Sequence, residues 1–265
     1  MKIAIAGVSG RMGQMLVKAV EEADGAELSG AIERPEHAWV GQDLGEMCGT
    51  GRGVTVSGGA AQGIAGADAV VDFTAPAATV ALSRACAEAG VAHVIGTTGL
   101  TEKDIAAIDE AARDIAIVRA GNMSLGVNLL TSLVERVAAS LGLEYDIEIV
   151  EAHHRHKVDA PSGTALMLGE AAAKGRGVAL DDVADRARDG LTGEREPGAI
   201  GFHAVRGGSI IGAHDVVFAG PGETLTLSHV ANDRALFAKG AIRAALWTES
   251  RVPGHYDMVN VLGLD

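Results

Sequence analysis

The first 120 residues alternate short aliphatic runs with longer helical stretches, and that alternation constrains the fold more than any other feature of the chain. Residues 2–6, 27–32, 69–72, 92–95 and 115–118 are short, apolar and bounded by turn residues, the pattern of buried strands. Between them, residues 11–23, 77–89 and 102–113 have helical length and spacing. Strand–helix alternation with short connections predicts a parallel sheet covered by helices.

The pattern changes after residue 124. A long helix is expected over 125–141, and a strand over 144–151, where polar and apolar residues alternate as on a strand with one wet face. Ser162 can cap a helix reaching about residue 174. Residues 181–197 read as charged and irregular. Strand-like runs follow at 199–205, 209–218 and 224–230, separated by Arg206-Gly207-Gly208 and Gly220-Pro221-Gly222, so an antiparallel meander is expected. A last helix is expected over 235–247. The fold class is therefore α/β: a Rossmann-type parallel-sheet domain over 1–124, then an α+β domain over 125–234 with a mixed or antiparallel sheet, and a segment 235–265 packing back on the first domain. No internal repeat or low-complexity linker interrupts the 265 residues.

Composition narrows the function classes. Only 3% of residues are aromatic, while 48% are hydrophobic, so the core is aliphatic. A formal net charge of -13 leaves no broad basic face to displace counterions, which argues against nucleic acid as a partner. Cys48 and Cys86 form no disulfide framework and read as reduced thiols. The apolar run at the N-terminus is too short for a secretory signal, and no run reaches the length of a membrane span. A cytoplasmic protein with no membrane partner is expected.

Gly7-Val8-Ser9-Gly10-Arg11-Met12-Gly13 follows the first strand and opens the first helix. Backbone N–H groups at such a turn, with the helix dipole behind them, favour a pyrophosphate. The spacing is GxxGxxG rather than GxGxxG, and its position between strand and helix is what gives it weight. Glu33 ends the second strand, twenty residues beyond Gly13, where an acid accepts the ribose hydroxyls of NAD. Arg34 can pair with the 2′-phosphate of NADP, so acceptance of both cofactors is expected. The plain alternative is a solvated charge pair at a strand end. The loops Asp72-Phe73-Thr74-Ala75-Pro76, Gly96-Thr97-Thr98-Gly99 and Ala120-Gly121-Asn122-Met123 also follow strands, on the edge where open α/β sheets bind ligands.

Within an acidic chain, five consecutive residues, His153, His154, Arg155, His156 and Lys157, can all carry positive charge. Crowded like charges are costly unless an anion sits among them, which suits a carboxylate-bearing substrate. Cations beside the histidines oppose a metal site, and no metal is expected. Arg155 and His156 read as structural, one able to pair with Glu151 or Asp159, the other able to be buried. His203, His214 and His229 fall on expected strands, where cross-strand packing is the favoured reading.

Together with the glycine turn, Glu33-Arg34 and Gly96-Thr97-Thr98-Gly99, the run Glu151-Ala152-His153-His154-Arg155-His156-Lys157-Val158-Asp159-Ala160-Pro161-Ser162-Gly163-Thr164 closely resembles the 4-hydroxy-tetrahydrodipicolinate reductase (dihydrodipicolinate reductase) family. Ile200-Gly201-Phe202, Val205-Arg206-Gly207-Gly208 and Tyr256-Asp257-Met258 are similar too. The resemblance implies a two-domain oxidoreductase of the diaminopimelate and lysine pathway that uses NADH and/or NADPH on a small cyclic dicarboxylate. It implies a proton donor/acceptor role for His153, a proton donor in Lys157, and substrate contacts at His154, Gly163 and Thr164. Its cofactor-binding residues map onto Gly7, Val8, Ser9, Gly10, Arg11, Met12, Glu33, Arg34, Gly96, Thr97, Thr98, Ala120, Gly121, Asn122 and Met123. It further implies a homotetramer assembled through the second domains. One departure stands out: the family commonly carries Ala-Pro-Asn-Phe-Ser where this chain has Ala120-Gly121-Asn122-Met123-Ser124.

The chemistry fits those residue types. Electrons arriving on a ring require a proton in return, which an ammonium at Lys157 can supply and His153 can supply or relay. The N–H groups at Gly163 and Thr164, at an expected helix start, suit carboxylate oxygens. The rival readings are an amino-acid dehydrogenase of similar architecture and a cofactor-sensing protein without turnover.

Overall fold

A computed structural model describes residues 1–264, which form two compact units, Met1–Ser124 with Ala235–Gly263, and Leu125–Arg234 with Leu264. Asp265, the last residue of the expected return segment, lies outside the described residues.

The first unit opens with β1 (Lys2–Ala6), α1 (Arg11–Glu22), β2 (Glu27–Ile32), α2 (Leu44–Cys48), β3 (Val56–Ser57), α3 (Ala60–Gly63), β4 (Ala69–Asp72), α4 (Pro76–Ala89), β5 (Ala92–Ile95), α5 (Glu102–Ala111) and β6 (Ala116–Arg119). Pro76 sits at the start of α4, where its missing N–H costs nothing, and Gly90 ends that helix at φ 69. Thr101 and Asp104 make a reciprocal capping box at the start of α5.

The second unit contains α6 (Leu125–Ser140), β7 (Asp146–His153), α7 (Gly163–Gly175), α8 (Leu180–Val183), β8 (Ala184–Asp185), β9 (Ile200–Arg206), β10 (Gly212–Gly220) and β11 (Glu223–Ala231). Its sheet runs β11-β10-β7-β9-β8. The expected meander is corrected here: β10 and β11 form an antiparallel hairpin, but β7 inserts between β9 and β10, parallel to β9. The sheet is mixed. The helices cover one face, where Leu130, Val134, Leu168, Ala171, Ala172, Ile147, Ile149, Phe202 and Phe218 make the core. Small residues let α7 lie close; a Cβ on Gly169 would stand 2.4 Å from the Phe202 ring.

The chain then returns to the first unit through α9 (Ala235–Trp247), β12 (Gly254–Tyr256) and α10 (Met258–Leu262). The sheet of that unit is seven-stranded and parallel, in the order β12-β6-β5-β4-β1-β2-β3. The order reverses at β1, so the ends of β1 and β4 flank the switch point where such sheets take ligands. The short elements α2, β3, α3, α8, β8, β12 and α10 were not expected from the sequence; α8 and β8 begin the stretch 181–197 that was read as irregular. Among the described residues, no helix is long and apolar enough to cross a membrane.

Candidate functional site

The glycine turn is built by steric necessity. Gly7 takes φ 71, a left-handed value that glycine alone adopts readily. Its N–H donates to the Ile32 carbonyl at 2.8 Å, which ties the turn to the end of β2. A Cβ on Gly13 would fall 2.0 Å from the Gly7 carbonyl oxygen, so only glycine there lets α1 pack on the turn. Gly10 is the N-cap of α1 and offers no side chain to its first N–H groups. These groups are left for an anion. Val8 is fully buried, whereas Arg11 is exposed at the first helical position.

Glu33 faces this turn. Its Oε1 accepts from the Ser9 N–H at 2.9 Å and the Ser9 hydroxyl at 2.6 Å, and its Oε2 accepts from the Arg34 N–H at 3.1 Å. Burial pushes the carboxyl up, but these bonds outweigh it and hold Glu33 below its ordinary range. Arg34 is exposed. A cleft of about 480 Å³ opens beside them, lined by Gly7, Ser9, Glu33, Arg34, Phe73 and Leu82, with Ala78 and Ala81 adding apolar wall. A glycine cradle, an acid at the second strand end and an apolar cleft are the donor set and shape that an adenine dinucleotide fits.

The loops after β4 and β5 are locked together from below. Asp72 is fully buried and accepts from the Thr74 N–H at 2.8 Å, the Thr74 hydroxyl at 2.6 Å and the Thr79 hydroxyl at 2.6 Å. Thr79 and Thr97 hydroxyls meet at 2.8 Å. Burial pushes Asp72 up, and the His93 and threonine contacts more than reverse it. Gly96 leaves room for Phe73, whose ring would lie 2.3 Å from an added Cβ. Of the expected cofactor residues here, Thr97 turns inward and Thr98 is exposed. Burial, with Asp72 nearby, pushes the Cys86 thiol up to about 12, which leaves it unreactive. After β6, Ala120 is half-buried and Gly121 exposed; the Asn122 side chain accepts the Ser124 N–H at 2.8 Å, and Met123 is buried.

In the second unit, β7 places Ile147, Ile149, Glu151 and His153 on its buried face. The apolar pair extends the core, and the polar pair ends it. His153 Nδ1 meets Glu151 Oε2 at 2.7 Å. Arg206 grips the same carboxylate, Nη1 on Oε2 and Nη2 on Oε1, both at 2.7 Å. Ser162, the N-cap of α7, donates its N–H to Glu151 Oε1 at 3.1 Å, accepts from the Ala165 N–H, and meets His214 Nε2 through Oγ at 3.0 Å. Burial pushes Glu151 up, and the Arg206 and His153 contacts hold it below its ordinary range.

His154 Nε2 lies 3.2 Å from Arg234, and burial, then that guanidinium, pushes His154 down. Lys157 pairs with Asp159 at 2.9 Å. Gly163 is exposed at the start of α7, where an added Cβ would meet nothing within 4 Å, and Thr164 follows half-buried. His153, His154, Lys157, Gly163 and Thr164 thus share the end of β7, its loop and the start of α7.

Three readings change. The crowded cations are balanced from within, by Glu151 and Asp159, so their charge alone does not demand an outside anion. Arg155 and His156 are both exposed; Arg206 takes Glu151 and Lys157 takes Asp159, the partners considered for them. His203 pairs with Glu148 at 2.7 Å rather than merely packing. The sequence reading gave no site role to Glu151, Ser162, Arg206, His214 or Arg234, although Ser162 caps α7 as expected. The available signal was phase: Glu151 and His153 continue the two-residue period of Ile147 and Ile149 into the core.

A Rossmann-like sheet with a glycine turn, followed by a mixed-sheet unit with a histidine-rich basic loop, places the chain among two-unit oxidoreductases. Residues 1–123 match the family described as dihydrodipicolinate reductase, N-terminus, and residues 126–262 its C-terminus. The chain belongs to the dihydrodipicolinate reductase family. It is 63% identical to the 4-hydroxy-tetrahydrodipicolinate reductase of Ruegeria pomeroyi, over 99% of this chain and 98% of the relative. It is 55% identical to the reductase of the same name from Methylocella silvestris, over 100% of this chain and 97% of the relative. A solved relative, the dipicolinate-bound dihydrodipicolinate reductase from Paenisporosarcina sp. TG-14, is similar at TM-score 0.77 and 26% identity, covering 98% of each chain.

Proposed function

We propose that the chain reduces 4-hydroxy-tetrahydrodipicolinate to tetrahydrodipicolinate in the diaminopimelate and lysine pathway, with loss of water. NADH or NADPH supplies the hydride. The residues that would hold it are the turn Gly7, Val8, Ser9, Gly10, Arg11 and Met12, the pair Glu33 and Arg34, and the strand-end loops at Gly96, Thr97, Thr98, Ala120, Gly121, Asn122 and Met123. In this reading the first unit binds the dinucleotide and the second binds the substrate.

The observation that carries the catalytic reading is the clamped His153 at the end of β7, with Lys157 on the loop that follows and the exposed Gly163 at the start of α7. Gly163 and Thr164 bind substrate carboxylate through the α7 N-terminus, where N–H groups and helix dipole favour an anion. In this reading His154, on the same loop as Lys157, adds a further substrate contact. Lys157 exchanges Asp159 for the substrate and donates the proton that the reduced ring requires, with His153 orienting the ring and relaying protons. The dicarboxylate bound by the Paenisporosarcina relative supports a ligand of this charge.

Assembly as a homotetramer through the second units fits their sheet. Opposite its helices, Val205, Ala152, Ala213 and Val230 form one cross-strand row, and Val205 and Val230 are exposed. A continuous apolar row on an open sheet face suits burial against another copy. Free Cys48 and Cys86 fit a reducing, cytoplasmic setting.

The test is a coupled assay with the product of dihydrodipicolinate synthase, following NADH and NADPH oxidation separately, with sedimentation for mass. Oxidation with at least one cofactor is expected; none with either overturns the reading.

A further inference from the structure

Glu151 is a carboxylate set where the fold would accept an aliphatic side chain. It continues the row of Ile147 and Ile149 on the covered face of β7 and is 1% exposed. Burying an ion there costs several kcal/mol unless partners replace its water. Glu151 has four such bonds, from Arg206 on β9 (two), from His153 on β7 and from the Ser162 N–H that caps α7. The Arg206 Nη2 also donates to the Asp159 carbonyl at 2.7 Å, so one guanidinium holds the sheet and the Lys157 loop together. Gly212 stands against the far edge of the imidazole; a Cβ there would lie 3.1 Å from His153 Nε2.

We propose that Glu151 and Arg206 are a positioning pair that fixes Nδ1 of His153 as a protonated nitrogen and leaves Nε2 to meet the substrate. An ionised carboxylate only accepts, so Nδ1 must donate to it. Nε2 has no hydrogen-bond partner among the described residues. Arg206 grips both oxygens of the same carboxylate, so Glu151 is held in place while it accepts from the ring. The other titratable groups close to the ring are His214 on β10, with centroids 5.1 Å apart, and His154 next in the chain; Lys157 on the loop acts on both of those histidines. This inference rests on the acid–base reading of His153 given above.

The experiment is a double-mutant cycle in kcat against pH with Glu151→Gln, His153→Gln and both together, alongside cofactor affinity. Glu151→Gln is expected to lower kcat roughly 10- to 100-fold and displace a limb of the pH profile, while cofactor affinity holds. Added to His153→Gln it is expected to cost less than about twofold more. Glu151→Asp, which keeps the charge, should recover part of the loss. If His153→Gln alone leaves kcat unchanged, the acid–base reading of His153 fails. If His153 matters but Glu151→Gln costs the same factor with and without it, or leaves the pH limb in place, Glu151 is only structural and the proposal is overturned. Should Glu151→Gln not fold, Arg206→Lys, which loses the two-pronged grip, is put through the same cycle, and the same outcomes support or overturn the proposal.

Discussion

Lys157 Nζ lies 2.9 Å from Oδ2 of Asp159, two residues further along the same loop. The aspartate side chain is 54% exposed and the lysine 21%. An ion pair that open to water is worth about 0.2–1 kcal/mol, too little to hold the ammonium against a doubly charged ring. Asp159 thus parks the cation without committing it, and Lys157 in turn keeps Asp159 below its ordinary range.

Removing either partner should therefore act in opposite directions. Lys157→Ala should lower kcat by roughly 10²- to 10⁴-fold, the usual reach of a positioned acid, with NADH affinity unchanged. Asp159→Asn should lower the apparent substrate KM by up to about fivefold, the equivalent of the pair's worth. Steady-state kinetics with a parallel cofactor titration checks both; unchanged turnover in Lys157→Ala removes it from proton delivery.

Much of this was legible in the chain. Strands at 2–6, 27–32, 69–72 and 92–95 have the predicted limits, because short aliphatic runs between glycine turns and helices leave little freedom of boundary. The order of the second sheet was not legible: strand pairing across distant segments has no local signature, so β7 between β9 and β10 could not be read from turns. His153 and Lys157 were singled out by residue type alone, and the structure puts them at the end of β7 and on the loop that follows it. The rest was hidden where an ordinary residue gains meaning from a partner far along the chain, as Arg206 does from Glu151, 55 positions away.

The glycine turn supplies a steric prediction. A methyl on Gly13 must displace backbone, since it would sit 2.0 Å from the Gly7 oxygen. Gly13→Ala should cost roughly 1–3 kcal/mol of stability and lower Tm by several degrees. It should also weaken NADH binding at least tenfold, because the N–H groups of the turn move with the helix. Calorimetry and fluorescence titration measure the two effects. Retained affinity would mean that the turn does not hold the cofactor.

Arg34 is exposed beside the cleft, and its guanidinium makes no ion pair or hydrogen bond among the described residues. It is ready for a phosphate. A charge-assisted hydrogen bond is worth about 1.5–3 kcal/mol, so Arg34→Ala should weaken NADPH roughly 10- to 100-fold and NADH by less than about twofold. Equal losses for both cofactors would show that Arg34 does not read the 2′-phosphate.

His214 gives the protein an acid-sensitive joint. Burial, then the neighbouring His153, pushes it down to about 4, so it is neutral where its Nε2 meets Ser162. The unfolded chain takes up this proton near 6.5, while the folded protein resists it until about 4. Between those values the unfolded state binds more protons, so stability is full above pH 6.5 and falls as pH drops, by on the order of 3 kcal/mol in total. Glu33, Asp72, Glu148 and Glu151 are all lowered, so their contributions are lost at more acidic pH. His154 and His229 are shifted the same way as His214, so the wild-type slope alone does not isolate it. His214→Gln keeps an amide for Ser162 but cannot titrate. Its unfolding free energy, from denaturant curves between pH 7 and 5, should decline less steeply than that of the wild type; parallel declines would clear His214 of the effect.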